Sequence, residues 1–269
     1  MKLTTQDIAL LLEITQDAGA AIMRFYHSDV GTTFKQDNSP VTEADLAADQ
    51  VIKVGLLRHW PNVPILSEES ADIDVEIRRQ WQTFWLVDPL DGTKEFINRN
   101  GEFTVNIALI HNGIPVFGVV YAPAKDLLYW GGEAYGAFKR DVKAQQTILA
   151  EVLDTENPPV VVVSRSHPSE RLQGYCEQMG AYEYLPTGSS LKLCMVAEGS
   201  ASVYPRLGPT SQWDIAAAHA VLFGAQGRLT LALHPEQTLS YKQKQDFINP
   251  YFIASVKNFL PPIYKESKQ

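Results

Sequence analysis

Trp85-Leu86-Val87-Asp88-Pro89-Leu90-Asp91-Gly92-Thr93-Lys94-Glu95-Phe96 carries an apolar run straight into two aspartates separated by two residues. The run Phe84 to Val87 reads as a buried strand, ended by the aspartates with Pro89 between them. Proline fixes its own φ and biases the preceding residue towards extended backbone, so both carboxylates are expected at a rigid turn. Gly92 permits close approach of backbone to a ligand, and Thr93 is expected to cap a helix. Two carboxylates beside free N–H groups at a helix start can hold divalent cations and a phosphate together. Asp-Pro and Asp-Gly also form ordinary surface turns, so the segment alone leaves both readings open.

Three other stretches share its chemistry. Pro64-Ile65-Leu66-Ser67-Glu68-Glu69-Ser70 is a second short apolar run that ends in carboxylates. Ligands collect at the C-terminal ends of strands in open α/β sheets. In Gln212-Trp213-Asp214-Ile215-Ala216-Ala217-Ala218-His219-Ala220-Val221-Leu222 the pattern is helical, with Asp214 in the first turn. Taken singly, that position is that of a helix-dipole partner. Pro40-Val41-Thr42-Glu43-Ala44-Asp45 opens a helix running to about His59, and Thr42 with Asp45 three residues on resembles a capping pair.

In this order and at these intervals, the four pieces resemble the inositol monophosphatase superfamily of metal-dependent, lithium-sensitive phosphatases. The joint pattern spans nearly the whole chain. Asp91-Gly92-Thr93-Lys94-Glu95-Phe96, Asn100-Gly101-Glu102-Phe103-Thr104-Val105-Asn106, Gly188-Ser189-Ser190-Leu191-Lys192 and Val203-Tyr204-Pro205-Arg206 resemble the bacterial 3′(2′),5′-bisphosphate nucleotidase branch more closely. The alternation of helices and strands predicts a layered α/β chain with parallel and antiparallel strands. The resemblance implies an αβαβα sandwich with mixed sheets and a cleft between two halves.

The resemblance also implies roles. Asp88 would bridge two cations, Glu68 and the Leu90 carbonyl would complete one cation site, and Asp91 and Asp214 would complete the other. Hard oxygen ligands suit magnesium, two or three ions in all, while six scattered histidines lack the spacing of a zinc site. Asp45, paired with Thr93, would orient and deprotonate a metal-bound water. Glu68 would assist, and the N–H groups of Gly92 and Thr93 would hold phosphate oxygens. Glu69, in an extended chain, is expected to face away from Glu68.

Substrate choice is expected from the second half. Ser189, Ser190 and Lys192 place hydroxyls and a cation at a helix start, and Arg206 precedes a Gly-Pro loop. With His167, which follows the strand ending in Ser164, these suit a second phosphate. Each also has a plain structural reading: a serine cap, a solvated lysine, a surface-paired arginine. The expected substrate contacts are Glu68, Leu90, Asp91, Gly92, Thr93, His167, Ser189, Lys192, Arg206 and Asp214. The expected activity is removal of the 3′-phosphate from adenosine 3′,5′-bisphosphate to give AMP, extending to the sulfated nucleotide, in the nucleotide recycling of sulfur assimilation. Inositol-phosphate hydrolysis would keep the metal residues and change these contacts. A non-catalytic regulatory protein of the same fold is the other alternative, and the intact acidic set weighs against it.

A net charge of −8 over 269 residues and the lack of a Lys/Arg-rich run argue against a nucleic-acid partner. A phosphate ester therefore needs local cations. Cys176 and Cys194 are expected as buried reduced thiols. Met1-Lys2-Leu3-Thr4-Thr5 and the residues after it show no long apolar core or small-residue cleavage site, so a secretion signal is not expected, and no run approaches the roughly 20 apolar residues of a membrane span. A cytoplasmic protein is expected, with peripheral attachment to the inner membrane as the alternative. The resemblance implies a homodimer, though no stretch marks an interface.

Along the chain, Ile8, Leu11, Leu12, Ala18, Ile22 and Tyr26 make Thr4 to His27 an amphipathic helix. Val105–Ile110 and Val116–Tyr121 flank the turn His111-Asn112-Gly113, and a second hairpin is expected around Gly131 to Phe138. Lys139 to Pro159 reads as a polar connection, dividing the chain into halves 1–156 and 157–269. The second half is expected to hold a strand Val160–Ser164, helices Pro168–Met179 and Ser190–Glu198, a strand Ala201–Tyr204 and the helix led by Asp214.

Overall fold

Apolar side chains at three- and four-residue spacing give the first helix, α1 (Thr5–Tyr26), one buried stripe through Leu11, Ala18 and Ile22. The computed structural model describes residues 1–26, 32–34, 40–151, 156–165 and 170–265. His27, His167 and Pro168 lie outside them. Strands β1 (Thr32–Phe34) and β2 (Pro40–Thr42) pair antiparallel and lead into α2 (Glu43–His59), which packs beside α1.

A seven-stranded sheet follows. Its first strand, β3 (Ile65–Ser67), is separated from β4 (Thr83–Asp91) by a one-turn helix, α3 (Val75–Arg78). Helix α4 (Thr93–Ile97) leaves the end of β4. The meander β5 (Thr104–His111), β6 (Ile114–Ala122), β7 (Leu127–Gly132), β8 (Gly136–Arg140) and β9 (Gln145–Thr147) completes the sheet in sequential order. β3 is parallel to β4, and every later pairing is antiparallel. β9 falls inside the stretch read as a polar connection; all three of its residues are exposed, so no apolar alternation marks it.

The remaining chain alternates β10 (Val160–Ser164), α5 (Glu170–Cys176), β11 (Glu183–Thr187), α6 (Leu191–Ala197), β12 (Val203–Arg206), α7 (Gln212–Gly224), β13 (Arg228–Leu231) and β14 (Phe252–Ser255). Its five strands run in the order β11-β10-β12-β14-β13, parallel across the first three and antiparallel across the last two pairings.

Strand periodicity assigns the layers. Trp85, Val87, Val105, Ile107 and Leu109 pack with α1 and α2, whereas Phe84, Leu86, Ala108 and Ile110 pack with α6 and α7. In the second sheet Val162, Tyr204 and Phe252 join that same central cluster, while Val161, Val203 and Ile253 face Tyr175 and Cys176 of α5. The sandwich is αβαβα, as the resemblance implied. Helix α7 is apolar on every side because it lies between two sheets. It approaches β6 so closely that a Cβ on Gly118 would stand 2.1 Å from the Ala217 carbonyl oxygen. His219 of α7 is fully buried against the Tyr241 hydroxyl at 2.9 Å, and burial lowers its pKa to about 3. Cys176 and Cys194 are buried free thiols. Among the described residues no helix is long and apolar enough to cross a membrane.

Candidate active site

The site forms where β4 stops being regular. Asp88 pairs with Asn106 and Asp91 with Thr104, and the register shifts between those pairs. Asp88 and Asp91 therefore sit on the strand itself, on either side of a bulge formed by Pro89 and Leu90. Bulges re-aim side chains in this way, and the rigid turn expected at Asp88 is corrected to a bulged strand end. Asp88 has the parity of Phe84 and Leu86, which places it on the side of α6 and α7.

Gly92, at φ +89°, begins α4 as its N-cap, and its carbonyl accepts the Phe96 N–H at 2.9 Å. The expected cap at Thr93 is thus displaced by one residue, because the left-handed backbone favours glycine. Thr93 becomes the first helical residue and faces the cleft. Glu68 directly follows β3 and starts a single 3₁₀ turn, Glu68–Ser70. The alternation expected for Glu69 fails there, since the chain is no longer extended. Ser67 and Asp49 of α2 share a buried hydrogen bond, and Lys53 pairs with Asp49, so this strand end is tied to α2. Asp45, also on α2, is buried beneath the site.

Asp88 is almost fully buried, and its pKa is raised well above the ordinary carboxylate range by that burial and then by Glu68, Asp91, Asp214 and Asp45. Asp214 is raised by burial and by Asp91 and Glu68. Asp91 is pushed up to about 6 by burial, against the opposing pull of Lys192 and the Ser190 N–H. Five carboxylates thus press on one another in a buried pocket, and concentrated buried negative charge of this kind suits cations with hard oxygen ligands.

Among the described residues, however, no three His, Cys, Asp or Glu side chains stand as a closed metal-ligand set. One oxygen of each aspartate is held by a backbone N–H: Asp88 by Leu90 at 3.1 Å, Asp91 by Ser190 at 2.6 Å and Asp214 by Ser211 at 2.9 Å. The chemistry of these donors, buried carboxylate oxygens with backbone carbonyls nearby, fits magnesium.

Beside the acids, the Gly188 loop and α6 bring in hydroxyl and basic groups. Glu68, Asp91, Gly92, Thr93, Ser189, Lys192, Tyr204, Arg206, Thr210 and Asp214 line one cleft of about 230 Å³. Lys192 is 7% exposed, which overturns the solvated-lysine alternative; its ammonium donates to the Ser189 carbonyl and lies 5.7 Å from the Tyr204 ring centre. Burial lowers its pKa to about 8. Ser190 occupies the N-cap of α6, but its hydroxyl bonds Asn106 and Thr104 in place of capping the helix. Ser189 Oγ and Arg206 Nε are buried without a hydrogen-bond partner. Arg206 also donates to the Pro209 carbonyl.

The structure therefore brings Glu68, Asp91, Gly92, Thr93, Ser189, Lys192, Arg206 and Asp214 into one cleft, with Asp88 and Asp45 behind it. Leu90 is buried at the bulge. The sequence reading missed Glu102 and Arg165, which grip the Gly188 loop, and the roles of Thr104 and Asn106 beneath it. The polar–apolar alternation Glu102-Phe103-Thr104-Val105-Asn106 was the available signal.

The sequence profile of the inositol monophosphatase family matches residues 4–256. Proteins named 3′(2′),5′-bisphosphate nucleotidase CysQ from Salmonella typhimurium and Escherichia coli K12 are each 48% identical over 248 residues, 91% of this chain and 97% of theirs. The crystal structure of CysQ from Bacteroides thetaiotaomicron superposes with a TM-score of 0.83 at 38% identity, covering 94% of this chain and 98% of that one.

Proposed function

The chain belongs to the inositol monophosphatase family, and from that premise we propose that it is a magnesium-dependent 3′(2′),5′-bisphosphate nucleotidase that cleaves the 3′-phosphate of adenosine 3′,5′-bisphosphate to give AMP and phosphate. The carrying observation is the mixed lining of one cleft, in which Glu68, Asp91 and Asp214 stand together with Lys192 and Arg206. Carboxylates to hold cations and side-chain cations to hold phosphate in the same cleft suit a substrate with two phosphates.

Phosphate-monoester hydrolysis needs charge neutralisation, an aligned nucleophile and a stabilised leaving oxygen, with little covalent help from protein. Bound magnesium supplies the charge that activates water and steadies the leaving oxygen. In our reading Asp88, Glu68, the Leu90 carbonyl, Asp91 and Asp214 hold two or three such ions. Asp45 and Thr93 orient the attacking water and take its proton, and the Gly92 and Thr93 N–H groups donate to the reacting phosphate. Ser189, Lys192 and Arg206 bind the 5′-phosphate, where Ser189 Oγ and Arg206 Nε would gain the acceptors they lack. A buried donor without a partner costs about 1–3 kcal/mol, so an arriving phosphate relieves an existing penalty. His167, outside the described residues, is assigned to the same phosphate from sequence position alone.

The reading extends to the sulfated nucleotide, to a cytoplasmic location and to inhibition by lithium, whose single charge supports the leaving oxygen too weakly. Residues 1–156 supply the acidic motifs other than Asp214, and residues 157–269 the selecting loop. Phosphate release from a panel of bisphosphate nucleotides, nucleoside monophosphates and inositol phosphates, with and without magnesium, tests the assignment. A preference for inositol phosphates would replace it.

A further inference from the structure

Asn100-Gly101-Glu102-Phe103-Thr104-Val105-Asn106 has no part in the chemistry above, yet its polar residues are spent on a single target. Phe103 and Val105 are fully buried towards α1 and α2. Along β5, Thr104 and Asn106 point the opposite way to Val105, as alternation demands, and together with Glu102, just before the strand, they grip the loop that carries Lys192.

The grips are specific. Glu102 Oε2 accepts the Gly188 N–H at 2.8 Å. Ser190 Oγ donates to Asn106 Oδ1 at 2.7 Å, and since a serine hydroxyl has one proton, Thr104 Oγ1 donates to Ser190 Oγ at 2.9 Å. Asp91 holds the Ser190 N–H. Arg165 closes the arrangement from outside, with a two-pronged contact to Glu102 at 3.0 Å for each prong and a third bond to the Pro186 carbonyl at 2.8 Å.

Gly188 is therefore pinned through its backbone N–H and Ser190 through both N–H and hydroxyl, and Ser189 between them is held at φ +46°. A left-handed serine is uncommon and persists where its surroundings over-determine it. The Lys192 ammonium donates to the carbonyl of this same Ser189. The position of the cleft's buried cation is thus set by a loop, and the loop by one strand of the other sheet.

We propose that Glu102, Thr104 and Asn106 form a polar rail that fixes Gly188–Lys192 beside Asp91, setting the distance between the reacting phosphate and the second one. They are positioning residues for substrate choice, and that role rests on the bisphosphate reading given above. A contact outside the reacting atoms can change selectivity by misplacing what it holds, because small displacements of a bound group are costly in rate.

The test uses the full chain with magnesium and the variants Thr104→Val, Thr104→Ser, Asn106→Ala and Glu102→Gln. Two readouts are taken: hydrogen exchange at the Gly188 and Ser190 amides, and specificity constants for adenosine 3′,5′-bisphosphate and adenosine 3′-monophosphate. Thr104→Val and Asn106→Ala should speed exchange at Ser190 and shrink the preference for the bisphosphate about tenfold, the worth of one strong hydrogen bond, mainly through its KM. Thr104→Ser, which keeps the hydroxyl, should restore wild-type behaviour. Glu102→Gln, which loosens Arg165 without emptying the core, should speed exchange at Gly188 and shrink the same preference even if the other variants fold poorly.

Unchanged exchange at both amides would overturn the rail. Faster exchange with equal loss on both nucleotides would overturn its role in selectivity. A wild-type enzyme without any bisphosphate preference would instead contradict the substrate reading, and exchange alone would then decide the rail.

Discussion

Asp91 Oδ2 accepts the Ser190 N–H at 2.6 Å across 99 residues of sequence. A carboxylate at the end of a strand in one sheet thereby anchors the start of the selecting helix, and it lies in the acidic cluster as well. Cation binding and substrate selection meet at this residue, so neither half of the chain builds the site alone.

Asp88→Asn should reduce turnover by about 10³-fold or more, since charge stabilisation in the transition state is lost, while the protein remains folded. Turnover and thermal unfolding of the purified variant check this. Near-normal activity would show that Asp88 holds no catalytic cation.

Without metal, the acidic cluster should cost the protein stability as pH rises. Asp88, Asp214 and Asp91 all have folded-state pKa values above the ordinary 3.8, with Asp91 at about 6. Between the unfolded and folded values the native state binds more protons than the unfolded state, so unfolding free energy falls with increasing pH. Buried His219, with its pKa lowered to about 3, pulls the other way below pH 6.5, so the comparison is between proteins that share it. In chelator, the Tm of wild type relative to Asp88→Asn should fall by several degrees between pH 4 and pH 7.5, and saturating magnesium should remove the difference. A wild-type Tm that rises relative to Asp88→Asn across that window contradicts the mutual repulsion described here.

Thr93→Ala should lower maximal rate by about 100- to 10,000-fold, the usual worth of assisted proton transfer, with little change in magnesium affinity. A magnesium titration of activity separates the two effects. Weak magnesium binding at an unchanged maximal rate would make Thr93 a structural residue.

Arg206→Ala should penalise adenosine 3′,5′-bisphosphate far more than adenosine 3′-monophosphate, by about tenfold or more in specificity constant, since a charged hydrogen bond to the non-reacting phosphate is removed. Equal losses on both would place Arg206 in support of the fold or the cation site.

Much of this was legible in the sequence because its signals are local. The helical stripe through Leu11 and Ile22, the hairpin turn at Asn112-Gly113 and the acidic residues at apolar strand ends each declare themselves within a few positions. Strand β14 pairs with β12 about fifty residues earlier, and no local turn announces that partnership. The bulge after Asp88 and the displacement of the helix cap to Gly92 depend on cross-strand register, which no single window contains. Arg165 and Glu102 lie 63 residues apart, and only the meeting of the two sheets makes them partners.

The most direct measurement is phosphate release from adenosine 3′,5′-bisphosphate, adenosine 3′-monophosphate and inositol 1-phosphate by the wild-type protein, with magnesium present and after chelation. The account predicts a magnesium-dependent reaction fastest in specificity constant on the bisphosphate, with AMP as the nucleotide product. Equal or better hydrolysis of inositol 1-phosphate, or release unaffected by chelation, would contradict it.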